Sequence, residues 1–431
     1  MADTAAHLVD RVLPEAPVRQ WVLSLPFRLR YRMAYDARLT SEILRVFVRR
    51  VFASLRRRAR LRLAAPARLQ CGAVTFVQRF GGALNLNVHF HTLVLDGVHD
   101  AEDGHRFRPL PPPSDGEVER VARGVAGGIA RLLRRRGLEA EADPEESDPL
   151  RRDEPLLAAL AAASVSGRIA LGPRAGQRAL RFGDHVEVDD LPAPAVRRCA
   201  SVGGVSVHAD VAVPARDRDR LERLCRYAAR PPLAAERLSR LPDGRLLYRL
   251  RHRWRDGTTH VGFEPMELLE RLAALVPPPR FHLVRYHGVL APAARNRAAV
   301  VARGPGASPE PRPAHRGCRA QGEGGPARGS AEGSQTERLT GPQARPGDGS
   351  SDPGNRRPRP RNYTWAELMR RVFEIDVLEC PACRGRMRIL AAIHPPEATR
   401  AILECLGLPR RGPPVLPAAV PDASADPALE F

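Results

Sequence analysis

Between Gly72 and Gly97 the sequence alternates in a way that admits little besides a β-hairpin. Ala73 to Phe80 (AVTFVQRF) and Asn85 to Leu95 (NLNVHFHTLVL) are rich in apolar and β-branched residues, with a Gly81-Gly82 break between them and Asp96-Gly97 at the end. Such runs favour the pleated backbone, and the glycines supply the turn. A hairpin is not stable alone, so it must join an antiparallel sheet whose apolar face is covered by helices. Covering helices are available. Leu44, Phe47, Val48, Val51, Phe52 and Leu55 form one stripe, with Arg45, Arg49, Arg50, Arg56 and Arg57 mostly off it, so residues 17–64 predict an amphipathic helix with a basic outer face. Val118, Val121, Val125, Ile129 and Leu132 predict a second helix over 116–136. The expected class is α+β.

Further along, Val205, Val207, Ala209 and Val211 alternate, predicting a strand over 205–213, followed by a helix from about Asp217 to Ala229 that Pro231-Pro232 halts. Leu246 to Gly262 predicts a second hairpin turning at Arg255-Asp256-Gly257. The acidic run 139–146 reads as a solvated loop. Residues 303–361 are Gly, Pro, Arg, Ser and Gln without periodicity, a composition that cannot offset its chain entropy, so a disordered basic linker is expected there. At 431 residues the chain exceeds what one core usually serves. The expected division is an N-terminal helical DNA-binding region (1–64), a catalytic domain (65–300), the linker (301–361), a small C-terminal cysteine module (362–410) and a loose tail (411–431).

All 69 basic residues are arginine against 49 acids, giving a net charge of +20. Arginine binds phosphate in a planar fork, so a polyanionic partner such as DNA fits. The seven cysteines contain one close pair, which is no disulfide framework and suits a reducing cytoplasm. The N-terminus lacks the apolar core of a signal peptide and no long apolar run follows, so neither secretion nor a membrane is expected.

His89-Phe90-His91 is the sharpest site candidate. On a strand the two imidazoles share one face and Phe90 takes the other. Two adjacent imidazoles can hold two positions of a divalent ion, Mn or Mg, and Asn85 and Asn87 share their face. Tyr227 ends the predicted helix in a setting of Arg223, Arg226 and Arg230, where arginines can bind phosphate beside a tyrosine nucleophile. Taken singly, these patterns are equally a solvated strand face and an ordinary helix-end tyrosine. Cys380-Pro-Ala-Cys383 has the form of a zinc knuckle, but only Cys405 and His394 stand near as further ligands, so a half-site and a filled structural zinc both remain open.

Five long stretches carry a resemblance: HLVDRVLPEAPVRQWVLSLPFRLRY, VQRFGGALNLNVHFHTLVLDGV, RLCRYAARPPLAAERL, GFEPMELLERLAALVPPPRFHLVRYHGVLAP and YTWAELMRRVFEIDVLECPACRGRMRILAAI. Together they resemble the bacterial insertion-sequence rolling-circle transposases of the HUH endonuclease superfamily, the two-tyrosine transposases, over residues 7–300 and 363–408. The resemblance implies an HUH nuclease-like antiparallel-sheet domain, His89 and His91 as metal ligands, and Tyr227 as the nucleophile that holds the 5′ phosphate of a nicked single strand. The partners implied are single-stranded transposon ends and target DNA, in a cytoplasmic, nucleoid-associated setting. The family's other tyrosine falls at Arg223, which places this chain with the single-tyrosine, common-region subgroup. Relatives carry an N-terminal zinc-binding module before the stretch that opens this chain at Met1-Ala2-Asp3-Thr4, so a misassigned start or a truncated element is expected. For a third ligand, Gln78 on the neighbouring strand and Asp96 are the candidates. Alternation puts Asp96 on the opposite face and favours Gln78. The rival functions are an inactive DNA-binding remnant of a transposon and a plasmid replication initiator or relaxase.

Overall fold

The computed structural model describes residues 1–62, 68–138, 148–183, 197–301, 363–389, 393 and 396–407. The expected acidic loop, the linker and the tail lie outside the described residues. The architecture is α+β with antiparallel sheets, as the sequence implies.

The expected hairpin forms from β3 (Gly72–Phe80) and β4 (Leu86–Leu95), with Ala73 opposite Val94 and Gln78 opposite His89. On its other edge β4 pairs with β1 (Val18–Ser24), setting Val22 opposite His91. The sheet continues through β9 (Val205–His208) and β8 (Cys199–Val202) on that side and β14 (Val284–Gly288) beside β3, with β10 (Ala212–Val213) also against β1. Thus β4 is an interior strand, and nearly every residue on it is buried.

Two expectations change here. Residues 17–64 are not helical throughout, because β1 precedes α2 (Phe27–Tyr35) and α3 (Ala37–Arg60). Pro17 and Pro26 bracket Val18–Ser24, and a proline inside this run would break a helix, while Val, Trp and Leu suit a strand. Residues 21–59 therefore share a core with the centre of the chain, since Trp21, Leu23, Phe47 and Val51 pack with Val88, Phe90 and Val207. The single strand expected over 205–213 is two strands. Between them the Arg19 guanidinium donates to the carbonyls of Ala209 at 2.9 Å and Asp210 at 3.4 Å, capturing backbone acceptors that a continuous ladder would use.

One face of the sheet is covered by α3, whose predicted stripe is buried, and by α4 (Asp115–Arg135), which a Ser114–Glu117 capping box starts. These helices meet closely at Gly128, where an added Cβ would lie 2.6 Å from Val46 Cγ1. The opposite face is covered by α1 (Ala2–Arg11) and α7 (Arg218–Ala228), which bury Leu8, Val12, Leu221, Leu224 and Cys225 against Val74, Phe76, Leu93, Leu95 and Val211. Asp217 caps α7 by accepting from the Arg220 N–H at 3.0 Å. From outside, Arg371 of α10 (Trp365–Phe373) bridges α1 and α7, bidentate on Asp10 at 2.6 and 2.8 Å and on Glu222 at 2.6 Å.

A second sheet, of four strands, orders β11 (Leu238–Arg240), β12 (Leu246–Arg249), β13 (Thr258–Phe263) and β7 (Leu180–Gly183). Its β12–β13 hairpin is the one expected from the sequence. A small third sheet joins β2 (Leu69–Gln70), β5 (Gly97–Asp100) and β6 (Arg106–Pro109). The remaining helices are α5 (Pro149–Asp153), α6 (Pro155–Val165), α8 (Pro265–Leu275), α9 (Arg297–Val300) and α11 (Pro396–Cys405). Among the described residues no helix is long and apolar enough to cross a membrane.

Candidate active site

Directly opposed residues of an antiparallel pair share a face, so the register places Gln78, His89, His91 and Gln20 together under the end of α7. The two imidazoles converge, with Nε2 of His89 3.0 Å from Nε2 of His91. His89 Nδ1–H donates to the Asn87 carbonyl at 2.8 Å, which leaves its Nε2 lone pair facing inward. His91 Nδ1 meets the Gln20 side-chain amide, a partner the sequence reading did not anticipate. Burial depresses the His89 pKa to about 4, helped by the charges of Arg230 and Arg30 and opposed by the bond to Asn87. His91 is held well below the usual histidine range by burial, then by His89 and Arg230. Both rings are therefore neutral at pH 7, the form that binds metal.

Gln78 ties the strand to the helix end, its Nε2 donating to the Ala228 carbonyl at 2.8 Å and so satisfying one of the acceptors that a helix C-terminus leaves open. Its Oε1 is buried and lacks a hydrogen-bond partner among the described residues, as do Asn87 Oδ1 and Arg230 Nη1. Leaving such a group unmade costs roughly 1–3 kcal/mol. Other buried atoms among the described residues, Ser54 Oγ and His99 Nε2 for example, also lack a partner, so what sets these three apart is that they gather near one histidine pair. The expectation that Asp96 faces away holds: it is buried against Arg19, whose Nε donates at 2.8 Å and whose Nη2 lies 2.7 Å away.

Tyr227 lies one residue before the C-terminal end of α7, its ring edge-on to His91 with centroids 5.9 Å apart. Two guanidiniums lie over that ring, Arg230 at 4.1 Å and Arg251 at 4.9 Å. Arg230 also reaches the Phe80 ring at 5.5 Å. Arg226 is half-buried and Arg223, a turn earlier on α7, is exposed. The other tyrosines near arginines are engaged elsewhere. Tyr31 and Tyr35 donate to Asp148 at 2.6 and 2.9 Å, and Tyr248 is buried in the four-stranded sheet's core. Of the residues that meet here, Gln20 and Arg251 were not read from the sequence. Gln20 sat in a stretch that looked helical, and Arg251 in an arginine run with nothing to single it out.

Cys380 and Cys383 flank a tight turn in which the Cys380 N–H donates to the Gly385 carbonyl at 2.9 Å and the Arg384 N–H to the Cys380 carbonyl at 2.8 Å. Backbone N–H groups of Cys383 and Ala382, then the Cys383 thiol, hold the Cys380 thiol below its ordinary pKa. Among the described residues no group of three or more His, Cys, Asp or Glu gathers to hold a metal. His394, one of the further zinc ligands considered, lies outside the described residues.

Residues 72–298, more than half of the chain, match the model of the family described as "Putative transposase". That span contains Gln78, His89, His91, Tyr227, Arg230 and Arg251, and excludes Gln20 and the Arg371 bridge. No curated protein and no solved structure matches the chain. On the strength of the family match, the chain belongs to this transposase family.

Proposed function

We propose that this transposase nicks and rejoins single-stranded DNA through Tyr227, as a single-tyrosine member of the HUH endonuclease superfamily acting in rolling-circle transposition. The observation that carries the reading is the Tyr227 ring against His91, beside a converging imidazole pair and under two guanidiniums.

The residues fit a divalent ion. The two Nε2 atoms stand 3.0 Å apart, close enough that one divalent ion would be held by both. Gln78 Oε1, a buried acceptor without a partner on the strand opposite His89, is the third donor of this reading. When bound, Mg or Mn would polarise the scissile phosphodiester.

The protein's own groups do the rest. As placed, Gln20 Nε2 donates to His91 Nδ1, so the ring proton sits on Nε2. Turning the Gln20 amide lets Oε1 accept from Nδ1–H instead and frees the His91 Nε2 lone pair without moving the ring. Arg230 Nη1, buried and unpartnered, offers a donor to a phosphate oxygen. Tyr227 Oη forms the bond to phosphorus, the bond to the 3′ oxygen breaks, and the phenolic proton ends on that departing oxygen. The phosphotyrosine ester keeps the energy for rejoining, so no nucleotide cofactor enters. Arg223 and Arg226 extend the basic face of α7 toward the strand. Zinc on Cys380 and Cys383 is a separate, structural proposal for the C-terminal module.

The test mixes the protein with Mn and a single-stranded oligonucleotide from the element's end. A denaturation-resistant adduct is expected, and Tyr227→Phe should lose it, since one oxygen leaves with little packing volume. A persistent adduct would move the nucleophile, and no adduct from the parent would favour an inactive remnant.

A further inference from the structure

We propose that Arg251 is a positioning residue that holds the Tyr227 ring over the histidine pair, making the four-stranded sheet part of the active site. The inference rests on Tyr227 being the nucleophile.

Arg230 follows Tyr227 by three residues and accompanies the end of α7 wherever it goes. Arg251 is different, because it comes from the connection between β12 and β13, in a separate sheet, and still lies 4.9 Å from the Tyr227 centroid. The backbone on either side of it is tied down. Leu250 is buried and its N–H donates to the Thr259 carbonyl at 2.8 Å, while the Trp254 N–H donates to Thr258 at 2.9 Å. Leu250 packs with Tyr248, Val261 and Phe263, and the same cluster includes Ala83 and Leu84 from the β3–β4 turn. The hairpin that carries His89 and His91 and the hairpin that carries Arg251 are therefore anchored to one another through a shared apolar core. An arginine delivered this way acts on the ring itself, whose rotation about its side-chain bonds the backbone tie through Gln78 leaves free. The guanidinium is drawn to the ring face and opposes its rotation away.

The experiment compares Arg251→Ala, Arg251→Gln and Arg251→Lys. At saturating oligonucleotide, Arg251→Ala is expected to form the covalent adduct about tenfold more slowly. The oligonucleotide concentration for half-saturation should change by less than about threefold, because the phosphates keep their other arginine contacts. Arg251→Lys, which keeps a cation for the ring, should recover most of the rate, and the neutral Arg251→Gln should not. A second readout needs no activity: nitration of Tyr227 by tetranitromethane, mapped by mass spectrometry with buried Tyr248 as the internal reference, should quicken severalfold in Arg251→Ala.

Equal nitration in parent and Arg251→Ala would overturn the proposal. So would an unchanged adduct rate, Gln performing as well as Lys, or a loss confined to half-saturation, which would make Arg251 a plain DNA contact. The two ideas separate cleanly. If Tyr227→Phe still forms an adduct, the nucleophile assignment fails. If Tyr227→Phe is inert and Arg251→Ala matches the parent in rate and nitration, only the role of Arg251 fails.

Discussion

Strand β4 presents two environments on one face, a few residues apart. At Leu93 and Leu95 the face is apolar and sealed by Leu221, Leu224 and Cys225 of α7 together with α1. At His89 and His91 the same face meets the far end of the same helix through Gln20, Gln78 and Tyr227, leaving buried polar atoms unmatched. One helix thus does two jobs, its first turns adding to the core and its last turn forming the candidate site. The apolar end gains roughly 1.5–3 kcal/mol per buried side chain. The polar end gives up part of that gain, a cost that a bound ligand would offset.

The largest expected effect comes from the polar end. Replacing both His89 and His91 by Ala should lower metal-dependent nicking of a matched oligonucleotide by a factor of about 1,000 or more. DNA affinity should barely change, because it comes mainly from arginine contacts, each contributing about 0.7 to the slope of log K against log salt on single strands. A double variant that nicks like the parent would erase the distinction between the two ends.

The apolar end should fail in the opposite way. Leu224 is fully buried, and Leu224→Ala should cost about 3 kcal/mol in thermal or denaturant unfolding. A loss under 1 kcal/mol would show that α7 is not held by this cluster.

Proton linkage sharpens the contrast. His89 has its pKa lowered from 6.5 to about 4 in the folded chain, so the unfolded chain takes up the proton first as the pH falls. Stability in chelator-treated protein should therefore be full above about pH 6.5 and fall toward pH 4, with His89 alone accounting for about 3 kcal/mol. His89→Asn should remove about 3 kcal/mol of that fall and leave the part contributed by His91, His208 and His287, which burial also holds below 6.5. A parent with flat stability across this window would contradict burial of the pair.

How much of this could be read from the sequence follows the same contrast. Period-2 and period-3.6 patterns announce β3, β4, α4 and α7, because each is an alternation of local apolar residues with clear stops. The histidine pair and Tyr227 lie on those elements, so their candidacy was legible, as was the placement of Asp96 on the other face. β1 was not, since the apolar and basic residues around it mimic a helical spacing, and the position between β4 and β9, far away in sequence, reinforces the strand that Pro17 and Pro26 bracket. The break at Ala209–Val211 depends on where the Arg19 guanidinium reaches, which no periodicity encodes. Gln20 and Arg251 act through tertiary contacts alone.

The smallest expected effect lies outside both ends. Arg371→Ala removes the bridge to Asp10 and Glu222; Arg371 and Asp10 are partly solvated while Glu222 is buried, so the cost should be about 2 kcal/mol. Melting of the single variant, compared with Leu224→Ala, measures how much the outer clamp on α7 adds to its inner packing. A loss as large as that of Leu224→Ala would make the clamp the dominant fastening.

The central claim, that the polar end of this face is built around a nucleophilic tyrosine, is tested most directly by locating the DNA on the chain. Protein reacted with Mn and a single-stranded end oligonucleotide is denatured, digested, and the nucleotide-bearing peptide sequenced by mass spectrometry. The account predicts one phosphotyrosyl linkage, at Tyr227. A linkage at Tyr31, Tyr248 or Tyr286 instead would contradict it.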